Sequence, residues 1–166
     1  VTADVDQFVV LGAGYDTRCY SELMRNGIRC FEVDQAVTQQ LKTASLERAG
    51  VDAAHVTFVE VDFRRDDLFE KLQARGYDTT KRTLFLWEGV TLYLSEETVR
   101  KTLRDVRASA STGSVVLADI YAGRMIKSMK AAAKYIGEPV AVSLPFATDC
   151  DGELSGFLGS EGRAIG

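Results

Sequence analysis

The chain has 166 residues, 46% apolar and 27% charged, which suits a single domain with a sizeable core and argues against disorder over its first two thirds. Its net charge is -4 with both signs mixed along the chain, and the pairs Arg64-Arg65 and Lys81-Arg82 make no basic patch of the kind a nucleic-acid binder carries. Three cysteines without CxxC spacing (Cys19, Cys30 and Cys150) and a single histidine, His55, argue against a disulfide framework and a metal site, and fit a reducing cytosol. No apolar run reaches the length of a membrane span and no signal peptide opens the sequence, so a cytoplasmic protein engaging neither membrane nor nucleic acid is expected.

Strand and helix patterns alternate over the first 120 residues. Gln7 to Gly12 (QFVVLG) reads as a buried parallel strand, followed by a helix over Thr17 to Asn26 that Gly27 stops. A second strand is expected at Arg29 to Asp34, then a helix from Gln35 to Ala49 closed by Gly50. Val56 to Asp62 is the third strand, with a helix at Asp66 to Arg75, and Thr83 to Trp87 is the fourth. Ser95 reads as the N-cap of a helix running to about Ser109, and Ser114 to Tyr121 as the fifth strand. Arg124 to Ile136 patterns as a helix, and the rest, from Gly137 to Gly166, is Gly-rich and poorly patterned. Helices of this length between strands are βαβ units, so the expected fold is α/β, a doubly wound and mainly parallel sheet in one domain over residues 1–166.

Ligands of such sheets bind beyond the carboxyl ends of the strands. Those ends deliver Gly12-Ala13-Gly14 with Asp16 after it, then Glu32 and Asp34, Asp62-Phe63, Glu88-Gly89, and Asp119 with Tyr121. So many acids would repel a phosphate ligand, which wants cations or a full glycine nest. They suit a ligand with positive charge and many donors, such as S-adenosyl-L-methionine with its sulfonium, ammonium, ribose diol and adenine amino group. Each element alone has a plainer reading. Asp34 and Asp62 could cap helices, and Glu88 could be a solvated loop residue. The third glycine of the dinucleotide fingerprint would fall at position 17, which is Thr17.

The blocks LGAGYDTR (Leu11 to Arg18), FEVDQ (Phe31 to Gln35), VTFVEVDF (Val56 to Phe63) and LFLWEGVTLYL (Leu84 to Leu94) resemble the leucine carboxyl methyltransferase-like family, in its bacterial S-adenosylmethionine-dependent branch. Fainter matches follow at Gly137-Glu138-Pro139 and at Phe157 to Gly162. The resemblance implies a Rossmann-like class I methyltransferase core with strand order 3-2-1-4-5 and the cofactor between strands one and four. It implies that Gly12, Ala13 and Gly14 shape the loop under the methionine part, that Asp34 holds the ribose hydroxyls, and that Asp62 accepts from the adenine amino group with the Phe63 backbone beside the ring. Glu88 would lie near the sulfonium and the amino-acid moiety, and Asp16 and Arg18 would order the first loop by a mutual or backbone contact. Tyr93 matches a substrate-side tyrosine, a core tyrosine being the equal alternative.

Family members carry a helical lid before the first strand and two further strands after the fifth, so this core is expected to be incomplete at both ends, with strand five an exposed edge. A carboxylate acceptor is already ionised at neutral pH and needs no general base. With no candidate base at the site edge, a carboxylate or other acidic oxygen on a small molecule or larger substrate is the expected methyl acceptor. The alternatives are an NAD(P)-dependent Rossmann oxidoreductase and a non-catalytic, degenerate methyltransferase-fold binding module.

Overall fold

Runs of Val, Leu and Phe too short for helices become strands, and the segments between them supply the crossovers. The structure, a computed structural model, describes residues 5–25, 27–119 and 121. Along the chain lie β1 (Gln7–Leu11), a 3-10 turn (Arg18–Tyr20), α1 (Glu22–Arg25), β2 (Arg29–Asp34), α2 (Ala36–Ala49) and β3 (Val56–Glu60). Then come α3 (Leu68–Ala74), β4 (Thr83–Trp87), a second 3-10 turn (Thr91–Tyr93), α4 (Glu96–Ser109) and β5 (Val115–Ala118). The strands form one five-stranded parallel sheet in the order β3-β2-β1-β4-β5. Both the class and the order agree with the sequence reading.

The chain divides into two compact units. The first, residues 1–90 with 100–118, holds the whole sheet; the second comprises residues 91–99 and 119–166. In the first unit the central strands bury both faces, as parallel strands must. One face gathers Phe8, Val10, Cys19, Cys30, Val56 and Leu86, with Tyr20 and Met24 packed against them. On the other, Phe31, Phe69, Tyr77 and Phe85 meet edge-on or tilted, with centroids 5.7–6.2 Å apart, which brings α3 onto the sheet. On β5 the alternate residues Val115 and Leu117 are exposed.

β3 ends at Glu60 and β5 at Ala118, short of the Asp62 and Tyr121 expected, and one helix departs further. The helix foreseen over Thr17 to Asn26 is a 3-10 turn and a single α turn, because Ser21 takes an extended conformation (φ -68°, ψ 152°) between them. Cys19, two residues before the break, is fully buried in the core. The helix after β2 closes at Gly50 in the left-handed region (φ 66°), as glycine there allows. Asp67 caps α3, accepting from Phe69 N and Glu70 N, and Ser95 Oγ accepts from Thr98 N at the start of α4. The helix expected at Arg124 to Ile136, the Gly-rich tail with its faint family matches, and Cys150 lie outside the described residues.

The buried side chain that ties the amino end of the sheet is polar. Gln7, fully buried at the head of β1, donates to Asp78 O (2.9 Å) and Thr83 Oγ1 (3.0 Å) and accepts from Asp78 N (2.9 Å). Two of these links join β1 to the loop that leads into β4, and the third reaches the first residue of β4 itself. Gln7→Leu keeps the bulk and orphans these groups, so it should cost about 1–3 kcal/mol in urea unfolding. A change under about 0.5 kcal/mol would show that the network contributes little.

Candidate functional site

β1 ends where Gly12 turns the chain with φ +70°. Gly12 N and Ala13 N both donate to Val33 O, at 2.7 and 3.0 Å, so the turn stays fastened to β2 as it leaves the sheet. A Cβ on Gly12 would overlap the side chain of Val90, beyond the end of β4. Glycine is therefore required twice, by backbone conformation and by close approach. Between the 12–18 loop and Glu88–Val90 lies a cleft of ≈ 330 Å³ floored by Val10 and Leu86. The strand-one/strand-four position of the cleft is the one expected from the sequence.

Across the cleft mouth Arg18 pairs with Glu88 and with Asp16 (Nε–Oδ2 3.4 Å), while its backbone N donates to Asp16 Oδ1 (2.7 Å). The Glu88 carboxylate raises the already high Arg18 pKa, so the guanidinium stays charged. The mutual Asp16–Arg18 contact was foreseen; the bridge to Glu88 was not. Tyr15 stands on the same loop and is exposed.

Asp34, at the end of β2, is not a helix cap. Its Oδ2 accepts from Gly14 N (2.7 Å) and its Oδ1 from Gln35 N (2.7 Å). Each oxygen keeps acceptor capacity for one more donor. On the next strand end Asp62 is buried and more heavily engaged. Arg64 grips it through Nε (2.9 Å), Nη2 (2.8 Å) and backbone N (3.1 Å), and Arg65 Nε adds a fourth bond (3.0 Å). Both arginines are exposed, so a ligand donor could displace one at little cost. Phe63 leans on Trp87, with centroids 5.9 Å apart.

Not every expected edge residue reaches the edge. Glu32 is 1% exposed inside the sheet, paired with buried Lys42 of α2. It stands two residues after Cys30 and two before Asp34, so it shares the sheet face on which Cys30 packs into the apolar layer. His55 precedes β3 at the opposite edge, its Nε2 against Cys19 O (2.8 Å), which removes it as a base. The Cys19 thiol is pushed up by its hydrogen bond to Cys30 and by burial, so it is no nucleophile. In the second unit Tyr121 donates to Asp119 Oδ2 (2.6 Å), Thr91 to Asp119 O (2.9 Å), and Tyr93 is exposed. Sequence reasoning missed Lys42, Val90, and Arg64 as a partner of Asp62. The last was open to view, since Asp-x-Arg after a strand lets the fork fold back on the acid.

A parallel 3-2-1-4-5 sheet with a glycine turn after β1 and acids after β2, β3 and β4 is a Rossmann-like, class I methyltransferase fold. The crystal structure of the S-adenosylmethionine-dependent methyltransferase SibL shares it, with a TM-score of 0.57 at 16% identity over 93% of this chain and 43% of that one. The family profile of leucine carboxyl methyltransferase matches residues 1–107, and the chain belongs to that family. Relatives carrying the name "Putative S-adenosyl-L-methionine-dependent methyltransferase" include proteins from two genera. The Bacillus subtilis protein YktD is 34% identical over 115 residues, 68% of this chain and 38% of its own length. The other, from Mycolicibacterium gilvum, is 34% identical over 140 residues, 84% of this chain and 45% of its own. The chain thus spans less than half the length of these relatives.

The arginine fork sets a titration. Arg64 above all holds the Asp62 carboxyl down to about 2, against an ordinary value of 3.8. A depressed acid stabilises the fold fully above its unfolded value, near about pH 4, and the contribution fades as pH falls towards 2. In Arg64→Met the Asp62 pKa should rise towards the ordinary carboxylate range, read by NMR titration of the carboxyl carbon. A value still near 2 would mean that Arg64 is not its main partner.

Proposed function

We propose that the protein is an S-adenosyl-L-methionine-dependent O-methyltransferase acting on a carboxylate or another acidic oxygen. The observation that carries the reading is the row of acids along one sheet edge, Asp62, Asp34 and Glu88, around a glycine turn and its cleft. The set fits the cofactor's chemistry. Asp34 has one free acceptor site on each oxygen, as a ribose diol requires, and its hold on Gly14 N couples that contact to the loop. Asp62 would receive the adenine amino group as Arg65 gives way, with Phe63 beside the ring. Glu88 offers negative charge to the ammonium and sulfonium end, and Gly12 to Gly14 give the backbone room to approach. When bound, S-adenosylmethionine supplies a methyl group activated by its sulfonium.

The chain's own residues then align the acceptor and exclude water. Among the described cleft residues none is a histidine, lysine or cysteine, and the titratable side chains there are Tyr15, Asp16, Arg18 and Glu88. An acceptor that arrives ionised needs no base, which favours a carboxylate on a small molecule or on a larger substrate. No helix among the described residues is long and apolar enough to cross a membrane, and we place the enzyme in the cytoplasm.

Two experiments test the reading. S-adenosylhomocysteine should bind in calorimetry and NAD should not. Asp34→Ala should weaken the binding at least about tenfold, as loss of a charge-assisted contact worth about 1.5–3 kcal/mol implies. Tight NAD binding, or unchanged affinity in both Asp34→Ala and Asp62→Ala, would overturn the cofactor assignment. For the acceptor, methyl label carried into product should leave as methanol in mild alkali. Label that survives alkali would rule out an ester.

A further inference from the structure

α2 docks on the sheet in an unusual way. Its one fully buried residue is a lysine, while the apolar Val37 and Leu41 are exposed. Polar contacts replace the expected apolar stripe. Gln39 Nε2 donates to Glu32 O (3.0 Å) and Val59 O (2.8 Å), joining the helix to β2 and β3. One turn later Lys42 enters the core, where Nζ meets Glu32 Oε2 at 2.6 Å and donates to Asp16 O at 2.7 Å. The ammonium lies 5.4 Å from the Tyr20 ring centroid, and Tyr20 OH donates to the same Glu32 oxygen (3.2 Å). Burial pushes the Glu32 carboxyl up even though Lys42 pulls it down, so desolvation outweighs the pairing.

A buried ion pair is poor evidence of stabilisation, because two apolar side chains of similar volume often hold a fold as well or better. The feature an apolar pair could not reproduce is the bond from Lys42 to the Asp16 carbonyl. Asp16 is the corner of the cleft loop. Its N donates to Ala13 O (2.7 Å) and its carboxylate holds Arg18, which in turn reaches Glu88. Through that carbonyl the loop is bonded from beneath to a buried ammonium, with Glu32 as the counter-charge that lets the ammonium be buried.

We propose that Lys42 is a positioning residue for the cofactor: from the core it fixes the 12–18 loop in the shape that receives the methionine end, and Glu32 serves to keep it there. This rests on the cofactor reading above. It makes the buried pair a determinant of affinity instead of a determinant of stability.

The test separates those two roles. In Lys42→Met the Glu32 charge is left buried and alone, so the protein should melt well below wild type. In the double variant Glu32→Leu/Lys42→Met both charges are gone and most of that loss should be recovered, yet Asp16 O still lacks its donor. The double variant should bind S-adenosylhomocysteine at least tenfold more weakly than wild type in calorimetry. Its amide exchange should rise at residues 13–17 and stay unchanged along β1 and β2. Wild-type affinity or unchanged loop exchange in the double variant would overturn the proposal, as would a double variant no more stable than the single one. Wild-type protein that fails to bind S-adenosylhomocysteine would remove the cofactor reading. Loop exchange would still report whether Lys42 anchors the loop.

Discussion

Gly12 and Val90 approach each other more closely than any side chain at position 12 would allow, and the site is organised around that approach. Adjacent parallel strands normally diverge into separate crossovers beyond their carboxyl ends. Here the chain leaving β1 turns at positive φ, remains bonded to β2 through Val33 O, and lets the segment after β4 close over it. The cleft is the space left beside that contact. A larger residue at either position would separate the two walls, and Arg18 could then not reach Glu88 while still holding Asp16. Backbone conformation at one residue therefore sets the spacing on which the charged groups depend.

Those groups follow a common pattern. Each acid at the edge is already engaged, and each engagement leaves something to exchange. Asp34 accepts two backbone N–H groups, which are rigid donors that orient it and leave acceptor sites open. Asp62 and Glu88 are held by exposed arginines, which can swing away without burying a charge. A cationic ligand would thus replace flexible surface partners and retain the fixed ones. Beneath the edge the balance is reversed. The Glu32–Lys42 pair is buried, and Lys42 also donates to the Asp16 carbonyl of the loop. Solvent-screened pairs line the edge, and a buried, unscreened pair lies beneath the loop.

Much of this was legible from sequence because periodicity and punctuation agree. β2 and β4 begin and end where their β-rich runs do, and Gly50 and Ser95 mark helix ends by well-understood backbone chemistry. Asp34, Asp62 and Glu88 were legible as strand-end residues because the topology of a parallel sheet brings those ends to one edge. The segment after Thr17 was misread because nothing local marks Ser21 as a break; it is the packing of Cys19 and Tyr20 that bends the chain. Glu32 was misplaced because a carboxylate near a strand end is ordinarily solvated, and its partner Lys42 stands on a helix where the apolar Val37 and Leu41 face outwards. A buried lysine breaks the rule that apolar residues mark the inner face, and no pattern based on that rule could have found it.

The central claim is that one ligand spans the ends of β3, β2, β1 and β4. A crystal structure of the protein with S-adenosylhomocysteine tests it most directly. The account predicts the ribose diol on Asp34, the adenine between Asp62 and Phe63 with Arg65 displaced, and the amino-acid end beside Glu88, with Lys42 still on Asp16 O. A ligand seated away from this edge, or an adenine contact made with the Asp62 arginines undisturbed, would contradict it.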